Sequence, residues 1–181
     1  MELPESGQVV LETARLRLRR YQASDLAPLV RMNADPEVMR FLGGVWAPEK
    51  SLGMVADIEA GWDAVGRGML PVERISDGAF LGIAGVTRLS WHPDDVEVGW
   101  RLLPEAWGQG YATEAGRAWV GWAFARHGKD RVISVADVPN ARSRAVMARL
   151  GMRLDHVATV EEDGERFEVA VHAVTKADWG A

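Results

Sequence analysis

The chain has 181 residues, 48% of them hydrophobic and 26% charged, and a formal net charge of -5. That length holds one well-buried domain, and the composition belongs to a folded globule, which excludes a disordered chain. The acidic balance argues against a broad nucleic-acid surface, and the absence of cysteine excludes disulfides, a thiol nucleophile and any route through an enzyme-bound thioester.

Residues 1–8 read as a flexible leader and residues 9–181 as a single domain. No signal peptide opens the chain and no apolar run approaches a membrane span, so the cytoplasm is the expected compartment and no membrane partner is expected. Val9–Tyr21 reads as a half-buried strand, with Leu16 and Leu18 alternating with Arg15, Arg17 and Arg19 on a solvated face. Ser24 or Asp25 caps a helix with Leu26, Leu29 and Val30 on one side, and Asp35-Pro36 starts another with Val38, Met39 and Leu42 inward. After the break at Gly43, Gly44 and Pro48, the helix Ser51–Val65 carries Met54, Val55, Ile58 and Trp62 at helical spacing. Met69–Ile75 and Phe80–Trp91 form a hairpin around Ser76-Asp77-Gly78-Ala79, with Pro71 favouring an edge position for the first strand, and His92-Pro93-Asp94-Asp95 forms the next turn.

The stretch Glu97–Ala123, EVGWRLLPEAWGQGYATEAGRAWVGWA, organises the chain around it. Val96, Val98, Trp100 and Leu102 alternate with Glu97, Gly99 and Arg101 in a strand that Pro104 ends. Gly108 and Gly110 flank Gln109 just before a helix from about Ala112 to His127, on which Ala115, Trp119, Trp122 and Ala123 share a face and Glu114 complements the dipole. Two close glycines and a helix start turn backbone N–H groups toward one point, a receptor for phosphate or pyrophosphate. The competing reading is a plain strand–turn–helix corner. A dinucleotide fingerprint fails for want of a third glycine at Thr113, and a nucleotide triphosphate loop fails because Tyr111, Ala112 and Thr113 stand where Gly-Lys-Ser/Thr would be needed.

Arg131–Asp137 is a short buried strand, and Asn140 and Gly151 cap a helix of about ten residues. Ser143 falls on its inward face, where its hydroxyl either bonds back to its own helix or meets a ligand. Leu154–Val160 and Phe167–Val174 flank the hairpin signal Asp163-Gly164, with His172 on a half-exposed strand. None of the four histidines pairs with another at metal-ligand spacing, so no metal is expected. Strands first, then alternating helices and strands, indicate an α/β or α+β domain with a mixed sheet.

These features together resemble the GNAT superfamily of coenzyme A-dependent N-acyltransferases, in particular its ribosomal-protein N-terminal acetyltransferase-like branch. The family's pyrophosphate motif, Arg/Gln-x-x-Gly-x-Gly/Ala, falls on Trp107, Gly108, Gln109, Gly110, Tyr111 and Ala112, with Trp107 in the Arg/Gln place and Thr113-Glu114 following. The opening Thr13-x-Arg15-Leu16-x-Leu18-Arg19 strand, the Ser24-Asp25 and Asp35-Pro36 helix starts, and Asn140-x-x-Ser143 ahead of Leu150-Gly151 match it too.

The resemblance implies a single GNAT-like domain with a mixed, mostly antiparallel sheet of about seven strands flanked by helices. It implies acetyl-CoA as co-substrate, held through Gly108, Gln109, Gly110, Tyr111, Ala112 and Thr113, with Asn140 on the pantetheine arm. It puts the thioester near Trp100–Leu103, the Trp100 N–H on the acyl carbonyl and Leu102 on the arm, and makes the first helices the acceptor side, with Trp46, Met54 and Trp62 either lining that cleft or serving as core. The implied reaction is direct attack of a primary amine on the thioester. Glu97 is the candidate base or else an exposed carboxylate, and the Ser143 hydroxyl faces the coenzyme sulfur and assists the leaving thiolate. The alternatives are a non-catalytic acyl-CoA sensor and a transferase for a larger acyl group such as succinyl, whose extra carboxylate Arg101 or Arg142 could meet. The resemblance leaves room for a homodimer, and it leaves the acceptor open among protein N-termini, antibiotics, polyamines and amino acids.

Overall fold

A computed structural model of the protein describes residue 3, residues 7–162 and residues 164–179. The stretch Val9–Tyr21 divides into two antiparallel strands, β1 (Val9–Glu12) and β2 (Leu16–Arg19), where the alternation suggests one. Thr13 closes the turn between them: its N–H donates to the Leu16 carbonyl at 2.9 Å and its Oγ1 accepts from the Leu16 N–H at 3.1 Å. The helix α1 (Leu26–Asn33) follows a single tight turn at Ala23–Asp25, and α2 spans Pro48–Val65. Then come β3 (Gly68–Arg74), β4 (Phe80–Leu89), β5 (His92–Leu102), α3 (Tyr111–His127), β6 (Arg131–Asp137) and α4 (Ala141–Arg149). The chain ends with β7 (Arg153–Glu162), β8 (Glu165–Thr175) and a one-turn helix α5 (Lys176–Trp179).

The eight strands form one sheet in the order β1-β2-β3-β4-β5-β6-β8-β7. Only β5 and β6 run parallel, and the connection between them is α3. The mixed, mostly antiparallel sheet expected from the sequence is therefore present, with the β1–β2 division supplying the eighth strand.

One face of this sheet makes the core. Leu16 and Leu18, Leu70 and Val72, Ala84 and Val86, and Val98 are in register across β2 to β5 and fully buried. Ala115, Trp119 and Ala123 of α3 are equally buried, and Trp62 of α2 meets Trp119 edge-on with ring centroids 6.3 Å apart. Burying each such Val or Leu contributes about 1.5–3 kcal/mol relative to exposure. Among the described residues no helix is long and apolar enough to cross a membrane.

Four local expectations give way to tertiary context. Asp35-Pro36 opens a single turn and no helix: the Asp35 carboxylate accepts from the Glu37 and Val38 N–H groups at 2.8 and 3.4 Å, but Gly43 and Gly44 follow with φ of 72° and 84°. So short a segment has no room to propagate past its nucleus. Pro71 is not on an edge strand, since β3 lies between β2 and β4; it sits one residue beyond the last β2 partner, Val72, where no ladder donor is required. The segment His92–Asp95, expected as a turn, is already the start of β5. On β8 the consecutive residues Val169, Ala170, Val171 and His172 are all buried, so both faces are covered there, and His172 is buried where half exposure is expected. The tip of the last hairpin falls on Asp163, which lies outside the described residues; Gly164 beside it has φ of 81°.

Arg19 of β2 departs furthest from a solvated face, while Arg15 and Arg17 keep 48% and 40% of their side chains exposed as expected. Arg19 is 3% exposed, forks onto Asp25 with Nη1–Oδ2 at 2.6 Å and Nη2–Oδ1 at 2.9 Å, and donates through Nε to Glu73 at 2.7 Å. Asp25 is 2% exposed and also accepts from the Gln22 N–H at 2.9 Å, so it ties the start of α1 to the sheet. Removing one member of a buried pair leaves the other charge uncompensated, at a cost of about 3–5 kcal/mol. Asp25→Ala is expected to lose that amount in urea unfolding, while Asp77→Ala, which breaks the exposed pair with Arg74, loses under about 1 kcal/mol. Equal losses for the two variants would contradict this assignment of buried and exposed pairs.

Candidate active site

The glycine turn forms where β5 runs out. Pro104–Ala106 makes one tight turn, Trp107 returns its indole N–H to the Leu102 carbonyl at 2.8 Å, and Gly108 and Gly110 take φ of 73° and 81°, a backbone that favours glycine. Gly110 is the cap of α3, and its carbonyl accepts the first helical bond, from Glu114, at 3.0 Å. Among the described residues, the N–H groups of Gly108, Gln109, Gly110, Tyr111, Ala112 and Thr113 donate no hydrogen bond to protein. Six unspent donors at the positive end of a 17-residue helix make a ready site for a diphosphate.

Two arginines flank this turn, and in the sequence Arg15 reads as one more polar position of an alternating strand. Arg15 donates from Nη1 to the Gln109 carbonyl at 3.0 Å and lies over the Tyr111 ring at 4.6 Å. Arg142 of α4 stacks on the Trp107 ring at 4.6 Å, which brings the start of α4 to the cradle. Glu114 does more than complement the helix dipole. It accepts from Thr13 Oγ1 at 2.6 Å, the Arg15 N–H at 2.9 Å and Arg15 Nε at 2.7 Å, and so clamps the cradle to the β1–β2 turn. Burial pushes its carboxyl up, but the Thr13 and Arg15 hydrogen bonds outweigh that and hold it below its ordinary value. Glu114 is thus a structural anchor.

The second component is a gap in the sheet. β5 and β6 pair only at Val96 with Val132 and Glu97 with Ile133, although β5 continues to Leu102 and β6 to Asp137. The Leu103 N–H bonds to the Leu81 carbonyl at 2.9 Å, and ladder alternation then commits Arg101, Gly99 and Glu97 to β4 and turns the Trp100 and Leu102 N–H groups toward the gap. Of the three residues expected around the thioester, Trp100 and Leu102 present a donor there and Leu103 does not. The Trp100 ring lies on the other side, against α3, where a Cβ on Gly116 would come within 3.3 Å of it and within 2.9 Å of Leu150.

Glu97 projects from the opposite face of β5, the face shared with Arg101. Its carboxylate is half-buried and accepts from Thr87 Oγ1 at 2.7 Å. Burial pushes the carboxyl up, against the smaller downward pull of Thr87 and of the Val135 N–H. Across the gap, α4 begins at Asn140, whose Oδ1 accepts from the Ser143 N–H at 3.1 Å. Ser143 is half-buried, and among the described residues its Oγ makes no hydrogen bond, so the helix-bonded reading is not realised. Strand register carries Glu97 through Ile133 to Ala173, which puts His172 on the other face of the sheet from Glu97.

A set of N–H donors in a turn, a parted pair of strands with two further donors on its edge, a carboxylate of raised pKa and a free hydroxyl can hold a long phosphorylated ligand and move protons at its end. Known proteins are similar to this chain in sequence and fold. The family model described as "Acetyltransferase (GNAT) domain" matches residues 15–153. The FsC-acetyl coenzyme A-N(2)-transacetylase of Aspergillus fumigatus is 30% identical over 96% of this chain and 79% of its own length. An acetyltransferase from Agrobacterium tumefaciens, solved by crystallography, is 28% identical with a TM-score of 0.78, covering 97% of this chain and 99% of that one. The ribosomal-protein-S5-alanine acetyltransferase of Vibrio fischeri shares the fold at 17% identity and a TM-score of 0.75, over 93% of this chain and 97% of that one. By fold, motif and similarity alike, this chain belongs to the GNAT family of acetyltransferases.

Proposed function

We propose that the protein transfers an acetyl group from acetyl-CoA to a primary amine by direct attack of the amine nitrogen on the thioester. The observation that carries this reading is the alignment of two sets of unspent N–H donors, Gly108–Thr113 in the turn and Trp100 and Leu102 on the parted edge of β5. The first set would hold the pyrophosphate, with Arg15 and Arg142 alongside, and the second would hold the arm and the acyl carbonyl. Asn140 has its Oδ1 spent on the Ser143 N–H and keeps its amide donors for the arm. The proposed partners are acetyl-CoA and an amine, met in the cytoplasm, with no metal in the mechanism.

Acetyl-CoA supplies an activated carbonyl; the protein supplies placement and proton handling. A Trp100 N–H aimed at the carbonyl oxygen stabilises the charge that develops as nitrogen adds, an effect worth about 2.7–4 kcal/mol per donor in other enzymes. The attacking amine must be neutral. A free α-amino group, with a pKa near 7.7–8.0, needs only a weak base at neutrality, whereas a lysine amine near 10.4 needs a strong one. Glu97, raised above the ordinary carboxylate range by burial, takes the proton directly or through water. When the carbon–sulfur bond breaks, the Ser143 hydroxyl donates a hydrogen bond to the departing thiolate and assists its protonation.

Two measurements test these roles, both on coenzyme release from acetyl-CoA with a panel of amines. Glu97→Gln is expected to lower kcat about 10²–10⁴-fold, the usual contribution of a positioned base. In the pH profile of kcat/KM the base works only when deprotonated, so activity falls as pH drops through the Glu97 pKa. Thr87→Val removes a hydrogen bond that favours the charged carboxylate and should move that acid limb to higher pH. An acid limb unmoved in both variants would remove Glu97 from the mechanism. Ser143→Ala is expected to lower kcat about 10²-fold while leaving the Kd for coenzyme A within about twofold. Unaltered turnover would discard the serine, and wild-type binding without turnover would make the protein an acyl-CoA sensor.

A further inference from the structure

Arg101 is the charged group on the Glu97 face of β5 that the transfer chemistry leaves unused. Its side chain rises from the strand two same-face positions beyond Glu97, and its guanidinium lies at 4.7 Å over the ring of Trp46. Nη1 donates to Asn33 Oδ1 at 2.6 Å, and Nε is buried with no partner. Among the described residues no carboxylate pairs with it. The contrast with the other well-buried arginines is sharp: Arg19 has Asp25 and Glu73, and Arg20 has Glu59 and Asp63. Those partners raise the pKa of Arg19 and Arg20, whereas burial pushes Arg101 down to about 10, still cationic at neutral pH.

The surroundings hold the guanidinium in a set orientation. Asn33 is fully buried, its Nδ2 donates to the equally buried Ser51 Oγ at 2.9 Å, and that bond fixes which way its Oδ1 points. The Asn33 carbonyl in turn accepts from the Trp46 N–H at 2.8 Å, which positions the ring under Arg101. Lys50 approaches the same ring at 4.6 Å, adding a second cation that forms no ion pair among the described residues. A planar fork with free donors, buried, oriented and unneutralised, matches a carboxylate.

We propose that Arg101, set by Asn33 and Trp46, binds a carboxylate on the acceptor, so that the acceptors are small amines of amino-acid type. The inference rests on the acetyl-transfer reading above and narrows its substrate. The acceptor is favoured over the acyl donor because Asn33 and Trp46 belong to α1 and the approach to α2, on the Glu97 face, while the donors for the thioester lie on the strand edge. Four residues of strand put the Glu97 and Arg101 Cα atoms about 13 Å apart. An acceptor that reaches both groups, amine toward Glu97 and carboxylate toward Arg101, is of the size of an amino acid or a very short peptide once the lengths of the two side chains are taken from that span.

The test is coenzyme release from acetyl-CoA by wild type, Arg101→Met and Arg101→Lys, using a panel of L-amino acids and the matching L-amino acid amides, with coenzyme A titration and circular dichroism as controls on folding. Wild type is expected to prefer acids to their amides, and Arg101→Met to collapse that ratio by about 30-fold or more through KM, the lower end of what losing one member of a buried charge pair costs. Arg101→Lys should retain more of the ratio than Arg101→Met. The proposal is overturned if wild type binds coenzyme A yet uses amides as well as acids, or uses no amino acid. It is also overturned if Arg101→Met lowers acids and amides equally. A parallel arm with succinyl-CoA and an amide acceptor separates the two sources of a carboxylate: loss of succinyl transfer alone would move the site to the acyl donor and overturn the acceptor assignment. Failure of wild type to bind coenzyme A would reject the acetyl-transfer reading itself, and this inference with it.

Discussion

The parting of β5 from β6 is the constraint on which the site depends. Two parallel strands that pair only at Val96–Val132 and Glu97–Ile133 leave the rest of both edges without ladder partners in the middle of a sheet. Such backbone groups need a ligand or water. The opening is sustained because each strand is firmly held on its other side, β5 by β4 from His92 to Leu102 and β6 by β8 from Arg131 to Asp137. Underneath, Trp100 and Leu150 are packed against Gly116 so closely that a Cβ there would meet both. The opening is thus set by how each strand is held on its other side, and the glycine turn follows directly where β5 ends.

Charge placement obeys the same logic. At the end of β2, carboxylates meet Arg19 and Arg20 and the pairs brace the fold; on β5, Glu97 and Arg101 share a face with no neutralising partner among the described residues. Among the described residues, Glu97 has only the Thr87 hydroxyl and a backbone N–H to support its charge, and Arg101 has only Asn33 and an aromatic ring. Arg19 and Arg20 are paired with carboxylates, whereas among the described residues these two groups meet no opposite charge, the contrast on which their proposed roles rest. The face that bears them is also the one that α1 and the approach to α2 reach through Asn33 and Trp46.

Local features were legible in the sequence. Gly108 and Gly110 must take positive φ within three residues, and Asn140 caps its own helix, so the cradle and the start of α4 could be read from spacing. The interplay of distant residues could not. The split at Thr13 depends on that residue's bond to Glu114, over a hundred positions away in sequence, as well as on its own turn. The burial of Arg19 depends on Asp25 and Glu73 arriving on either side, and the interior place of β3 depends on where β2 ends. Arg15 and Arg101 look like ordinary polar positions of alternating strands. Only the contacts of Arg15 with Gln109 and Tyr111, and the lack of any carboxylate for Arg101 among the described residues, set them apart. From the sequence, Arg101 also stands out as a cation for an extra acyl carboxylate, an option shared with Arg142, and as a neighbour of Glu97 on one strand face; neither says anything of its partners in the fold.

The proposed mechanism requires backbone donors of two separate elements to receive one ligand. Amide resonances of isotopically labelled protein, observed through a titration with coenzyme A, test this most directly. Large shifts and slowed exchange are expected for Gly108–Thr113 together with Trp100 and Leu102, with the Leu103 amide, already bonded to Leu81, little changed. Binding that left those amides untouched, or that perturbed Leu103 as strongly as Leu102, would contradict it.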